Sequence, residues 1–217
     1  MKKITKYLMF DTETSNTLDC PLCYDFGCSV IDEKGTVYEK GSFVVADVFL
    51  DKSLMESAYF ADKIPQYWED IKSGKRLLRR WKTIRCIIKD VMTYHEINTV
   101  VAHNARFDYS STATTQRYLT CSKWRFFFPY GTKFLDTLKM ARETFGKDEN
   151  YIAFCKENGY LTAYNKPRFT AEILYRYLTN DTTFEEAHTG LEDVEIETQI
   201  FLECIHRNPS VGGLLWE

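Results

Sequence analysis

The apolar positions of this chain alternate near its start and recur at helical spacing further on. "YLMF" at Tyr7–Phe10 closes a strand pattern that runs from Lys3 to Thr14. "YDFGCSVIDEKGTVYEKGSFVVADV" then reads as a hairpin, two apolar runs parted by the turn signal "DEKG". Helical patterns follow from about Ser53 to Tyr94, interrupted at Pro65 and at "SGK", residues 73–75. "INTVVAH" predicts a short buried strand ending at His103, and "NARFDYSSTATTQRYL" turns helical, with Asn104 a natural N-cap. "TKFLDTLKMARETFG" predicts a short strand running into a helix with Asp136 near its N-cap, and further helices are expected at Asp148–Asn158, Thr170–Leu178 and Thr189–His206. This order predicts an α/β fold: a mixed five-stranded sheet, three antiparallel strands then parallel ones, flanked by helices. With no repeat or linker in view, residues 1–217 are expected to form a single domain.

Composition sharpens the picture in three places. No apolar run approaches the roughly 18 residues that cross a bilayer, and the apolar part of "MKKITKYLMFDTE" is too short for a signal peptide. A cytoplasmic protein without a membrane partner is therefore expected. The net charge of −3 argues against a general nucleic-acid coat protein. Yet Lys72–Lys89, "KSGKRLLRRWKTIRCIIK", carries eight Lys or Arg and no acid. Leu77, Leu78, Trp81, Ile84, Ile88 and Val91 recur there at helical spacing, predicting an amphipathic helix. Its basic face is either a guide for a phosphate backbone or a plain solvated surface. Seven cysteines include "CPLC" at Cys20–Cys23, but a zinc site needs a second pair at a suitable spacing, so reduced thiols are expected.

The candidate chemistry lies in the acids. In "FDTET", residues i and i+2 of a strand project together, so Asp11 and Glu13 share a face while Phe10, Thr12 and Thr14 take the other. Two carboxylates that close repel unless a proton or a cation sits between them. Asp108, in "VVAHNARFDYS", falls in the first turn of a helix just beyond a buried strand, where an acid also complements the helix dipole. In "HTGLEDVEIE", Thr189 and Glu192 predict a capping box, with Asp193 in the first turn and His188 on the preceding loop. Singly, each piece also fits a structural role. Together, four acids and one His fall at a strand end and two helix starts that can converge. Oxygen ligands without Cys or a neighbouring His favour Mg²⁺ or Mn²⁺ over zinc, and two such ions would neutralise the cluster. His103 reads as a strand-end hydrogen-bonding residue, and His95 and His206 as surface residues.

Taken in order, these segments resemble the DnaQ-like, or DEDDh, 3′→5′ exonucleases with the ribonuclease H-like fold. "FDTET" is similar to that family's first motif, "HNARFD" to its second and "HTGLEDVEIE" to its third; "FLDTLKMARE" resembles the segment between the last two. The other branch has Tyr four residues before the last Asp, where this chain has Thr189; with His188 present, the histidine branch fits. The first motif continues as "SNTLDC", without the family's usual Gly-containing turn. The resemblance implies two Mg²⁺ or Mn²⁺ ions, one held by Asp11, Glu13 and Asp193, with Asp11 bridging to a second at Asp108. It implies His188 as general base, and Thr12, Thr14, Asn104 and Phe107 as substrate contacts. The implied substrate is the 3′ end of single-stranded nucleic acid, DNA ahead of RNA, cut to nucleoside 5′-monophosphates. The alternatives are an RNA-trimming exoribonuclease and a catalytically inactive binding or polymerase-accessory protein. A polymerase partner or a homodimer is left open.

Overall fold

The computed structural model describes residues 4–120 and 126–213. The strand pattern becomes β1 (Lys6–Ser15), and the hairpin becomes β2 (Leu22–Asp32) and β3 (Val37–Val45). The "DEKG" turn closes because Asp32 Oδ1 accepts from the N–H groups of Lys34 and Thr36 (2.8 and 2.9 Å). Short helices α1 (Ala46–Phe49) and α2 (Lys52–Met55) lead to α3 (Ile64–Ser73), strand β4 (Leu77–Arg79) and α4 (Trp81–Tyr94). The parallel half follows as β5 (Thr99–Ala102), α5 (Ala105–Thr120), β6 (Lys133–Asp136) and α6 (Thr137–Phe145). Helices α7 (Glu149–Glu157), α8 (Ala171–Thr179) and α9 (Gly190–Arg207) complete the described elements, apart from two 3₁₀ turns at Ala61–Lys63 and Pro209–Gly213. None of the helices is long and apolar enough to cross a membrane among the described residues.

The sheet order is β4-β3-β2-β1-β5-β6, so the expected mixed sheet has six strands, not five. The sixth, β4, pairs parallel to β3 inside the segment expected to be one basic helix. Gly74, in the left-handed region at φ 80°, ends α3, and the chain extends before α4 begins. Arg76 has left the surface: its side chain is 1% exposed and lies among acids. The apolar spacing from Trp81 through Ile84 and Ile88 to Met92 is the buried face of α4, as a helical stripe should be.

Each face of the sheet carries its own core. Leu8 and Phe10 pack with Phe26, Trp81, Ile84 and Phe128 on one side. Met9 packs with Val101, Leu135, Val194, Ile200 and Phe201 on the other, beneath α6 and α9. Alternation along β1 therefore points Asp11 and Glu13, in phase with Met9, toward the α9 side. Asp136 is the cap expected, and Asp148 and Thr170, given as first residues of two expected helices, act as caps too: each of the three accepts from backbone N–H at the start of α6, α7 or α8. His95 does not: its side chain is 8% exposed, held between Lys6 Nζ (3.2 Å) and Glu39 (3.2 Å). Cys20 and Cys23 are unbridged, and Cys23 Sγ–H donates to Asp25 O (3.2 Å). Part of "KWRFFFPYG" and of the tail "SVGGLLWE" lies outside the described residues.

Candidate active site

β1 pairs parallel with β5 as far as Met9↔Val101, so Asp11 and Glu13 stand just past the shared carboxyl edge of the two strands. In open α/β sheets that edge is where ligands bind. A bulge between Glu13 and Thr14 then shifts the register with β2. Asp108 comes to the same place from the first turn of α5 and is fixed by β1 itself: Thr12 N–H and Oγ1 both donate to its Oδ1 (3.1 and 2.8 Å). Thr12 thus commits its hydroxyl to holding Asp108.

α9 delivers the third motif. Its start lies against β2 backbone to backbone. A Cβ placed on Gly27 would sit 2.1 Å from Gly190 C, and one on Gly190 2.6 Å from Gly27 N. Gly27 is the residue paired with Asp11 across the strands, so this contact sets Asp193 beside Asp11. The expected capping box does not close. Thr189 N–H donates to Asp193 Oδ2 (2.9 Å), while Thr189 Oγ1 donates to Glu192 Oε2 (2.9 Å). Glu192 is drawn the other way by Arg76 Nη2 (2.7 Å) and Lys75 Nζ (2.8 Å). Asp193 Oδ1 is left buried without a partner among the described residues.

His188 precedes the helix at φ 48°, a left-handed conformation uncommon for a non-glycine residue. Its ring lies flat on Phe60 (centroids 4.3 Å apart, 11° between planes), and its Nδ1 is 3.8 Å from Glu186 Oε2. Lys63 Nζ donates to Ala187 O, tying the 3₁₀ turn to this loop. Ligand atoms of Glu13, His188 and Asp193 all lie within 4.8 Å of one another.

These residues line one cleft of about 1050 Å³ together with Asp11, Asp108 and Glu197. Asn104 and Phe107 line it as well, and Thr14, beyond the bulge, is not among its lining residues. Asn104 is no extended N-cap: it takes φ 61° and donates its N–H to Asp136 Oδ1 (3.0 Å).

The electrostatics of the cleft follow from crowding acids in a poorly solvated place. Burial, then repulsion from Asp108, Glu197 and Glu13, raises Asp11 well above the usual carboxylate range. Burial first and Asp193 second push Glu13 up to about 9. Asp193 rises to about 8 through burial and Glu186, and Asp108 to about 7 through burial, opposed by its bonds from Thr12. His188 is lowered by burial and by Lys63. Such a set stays protonated at neutral pH unless cations replace the protons.

Two acids of the cleft lie outside the expected set. Glu197, one turn beyond Asp193 on the same face of α9, is 3% exposed and accepts from His103 N–H (3.1 Å). Burial, then Asp108 and Asp193, holds it well above the usual range. Its i+4 spacing from Asp193 was the available signal. Glu186, pushed up to about 7 mainly by burial, is the other. His103 is the hydrogen-bonding residue expected. Burial lowers it to about 4, so its ring is neutral, with Nε2–H donating to Phe169 O and Nδ1 accepting from Thr137 Oγ1 (both 2.9 Å).

The donor set fits hard divalent cations: converging carboxylates, a buried free oxygen on Asp193 and one imidazole at the edge.

No protein-family model matches this chain, and no curated protein matches it either. Solved structures do. Exonuclease I bound to the inhibitor BCBP superposes with a TM-score of 0.61 at 15% identity, over 97% of this chain and 43% of that one. Exonuclease I of E. coli in complex with a dA16 oligonucleotide gives 0.57 at 17% identity, over 95% and 42%. Pop2p of S. pombe, in a form binding Mg²⁺ and Mn²⁺, gives 0.52 at 11% identity, over 94% and 84%. The chain thus spans about two fifths of the exonuclease I chains it matches. At these identities the likeness carries the fold: a ribonuclease H-like α/β architecture shared with solved exonucleases.

Proposed function

We propose that this chain is a divalent-metal-dependent 3′→5′ exonuclease of the DEDDh type. It releases nucleoside 5′-monophosphates from single-stranded nucleic acid, DNA in preference to RNA. The observation that carries this reading is the meeting of Asp11, Glu13, Asp108 and Asp193 in one cleft, none of them ion-paired to a Lys or Arg among the described residues. Asp11, Glu13 and Asp193 would hold one Mg²⁺ or Mn²⁺, with Asp11 shared towards a second at Asp108. Such ions supply charge neutralisation of the phosphodiester and a lowered pKa for water. The dA16 bound by E. coli exonuclease I and the metal ions of Pop2p agree with this substrate and this cofactor class.

The protein groups do the rest. Thr12 fixes one oxygen of Asp108, so that carboxylate is oriented before any ligand arrives. His188, neutral through its lowered pKa and immobilised on Phe60, takes the proton from the attacking water. Asn104 and Phe107 stand on the wall beside Asp108, where they can meet the terminal nucleotide.

The test is digestion of 3′- and 5′-end-labelled single strands, DNA and RNA in parallel, with Mg²⁺, Mn²⁺ or EDTA and with Asp11→Ala beside wild type. Stepwise loss of mononucleotides from the 3′ end, abolished by EDTA and by the substitution, is expected. Binding without cleavage would leave a non-catalytic nucleic-acid-binding protein. The closeness of His188 to Glu13 and Asp193 favours one second reading, in which His188 is itself a metal ligand. His188→Ala separates the two: as base it loses about 10²- to 10⁴-fold in turnover with metal affinity kept, and as ligand it loses the metal.

A further inference from the structure

The cleft has a rim opposite in character to its acidic floor. Tyr160–Phe169, between α7 and α8, form a small hairpin in which Leu161 bridges antiparallel to Pro167. Thr162 N–H donates to Lys166 O (2.8 Å) and Asn165 N–H to Thr162 O (2.9 Å), with Asn165 in the left-handed region at φ 55°. Its base is tied to the body of the protein. Arg168 N–H donates to Tyr160 O (3.0 Å), Tyr151 Oη donates to Arg168 O, and the His103 ring donates to Phe169 O (2.9 Å). The hairpin is therefore fixed before any ligand arrives.

What it presents to the cleft is an aromatic and two cations: Tyr164, 87% exposed, with Lys166 and Arg168. Arg142 of α6 lines the cleft too. Among the described residues neither Lys166 nor Arg142 makes an ion pair, although the acids lie across the same cleft. The cleft is thus lined both by acids and by cations that do not pair with them among the described residues, with an exposed ring beside the cations. Cations free of partners suit phosphates, and an exposed ring on a rigid turn suits a base face of any sequence.

We propose that this hairpin, with Arg142, is the binding surface for the nucleotides that precede the scissile one. Lys166 and Arg142 meet backbone phosphates, and Tyr164 stacks on a base. The proposal rests on the nuclease reading of the floor, and the experiment separates the two. Fluorescence anisotropy with labelled oligothymidylate about 12 nucleotides long, in EDTA, reads the grip without turnover. Hydrolysis of the p-nitrophenyl ester of thymidine 5′-monophosphate with Mn²⁺ reads the floor without the grip.

Tyr164→Ala is expected to weaken oligonucleotide binding about 5- to 150-fold with an unchanged salt dependence. Arg142→Ala/Lys166→Ala is expected to flatten the salt dependence by about 1.4 in slope, the release from two phosphate contacts on a single strand. Both variants should hydrolyse the mononucleotide ester at the wild-type rate. Wild-type binding that neither variant weakens overturns the rim proposal and leaves the nuclease reading intact. A wild-type protein that neither binds the strand nor hydrolyses the ester overturns the nuclease reading itself.

Discussion

Glu192 and Asp193 are neighbours in the first turn of α9, and their surroundings send them in opposite directions. Glu192 accepts from Arg76, Lys75 and Thr189, and despite partial burial its carboxyl is lowered to about 2. Asp193 meets Glu186, Asp25 and the cleft, and is raised to about 8. Behind Glu192 lies a network centred on Arg76, in which Asp25 Oδ1 is left without a hydrogen-bond partner among the described residues. Arg76 bonds Asp25 (3.1 Å), Asp70 (2.9 Å) and Glu192 (2.7 Å), while Tyr67 Oη and Gly190 N–H also donate to Asp25. Asp193 itself has no Lys or Arg ion pair among the described residues. A buried acid whose counter-charge is covalently part of the chain is fixing the fold; one that lacks it is waiting for a charge from outside.

The contrast can be broken first at Asp193. Asp193→Asn should cut metal-dependent hydrolysis by more than about 10³-fold, the scale of losing a directly held cation, in single-turnover assays. At about pH 9 in EDTA, above the value of about 8 at which Asp193 gives up its proton, the same variant should melt higher than wild type, because one repelling charge is gone. A lower melting point would mean that Asp193 fixes the fold as Glu192 does. On the other side, Arg76→Met leaves the buried Asp25 without its cation, while Asp70 and Glu192 keep Lys75, and should cost about 3–5 kcal/mol in urea denaturation. A change under about 0.5 kcal/mol would dissolve the distinction between the two regions.

pH sharpens the comparison further. Glu13, Asp193 and Asp108 hold protons in the folded chain, up to about 9, 8 and 7, that the unfolded chain releases near 4. Their stabilising contribution is whole below about pH 4 and drains away as pH rises through those values. Glu192 runs the other way, contributing above its unfolded value of 4.5 and losing that contribution as pH falls through about 2. The melting temperature of the chelated protein should therefore fall from about pH 5 to about pH 9, and added Mn²⁺ should restore it at the alkaline end. A flat profile in EDTA would remove the case for unpaired carboxylates. The smallest effect is expected at Glu197, which shapes the site from beside Asp11 and Asp108. Glu197→Gln should weaken Mn²⁺ binding about 10- to 100-fold by calorimetry while leaving a folded protein.

The meeting of the four acids in one cleft was legible because they sit where local rules apply. Strand parity placed Asp11 and Glu13 together, and the helix starts placed Asp108 and Asp193. The cap at Asp136 and the helix starts at Asp148 and Thr170 were equally plain, since each of these side chains bonds N–H two or three residues away. What escaped depended on distant partners. β4 is three residues long and becomes a strand by pairing with β3, some thirty residues earlier, so its helical periodicity misled. Arg76 looked like a surface cation until three acids from separate elements closed on it. Glu192 met the capping-box spacing and was claimed by Arg76 and Lys75 instead. Glu197 carried a helical acid's ordinary spacing, and only the neighbouring strand ends show that it faces inward.

The crossing of Gly27 and Gly190 has a consequence for how such a sequence can drift. Main-chain atoms alone set the separation there, and every residue type has the same main chain. Apolar side chains on either face of the sheet can be exchanged, volume for volume, without altering the spacing between β1 and the start of α9. The two glycines are excepted, since any Cβ would drive the layers apart. The geometry of the candidate site is in this way insulated from turnover of the surrounding residues. Chains with only 15–17% of positions in common can then still superpose over nearly the whole of this one.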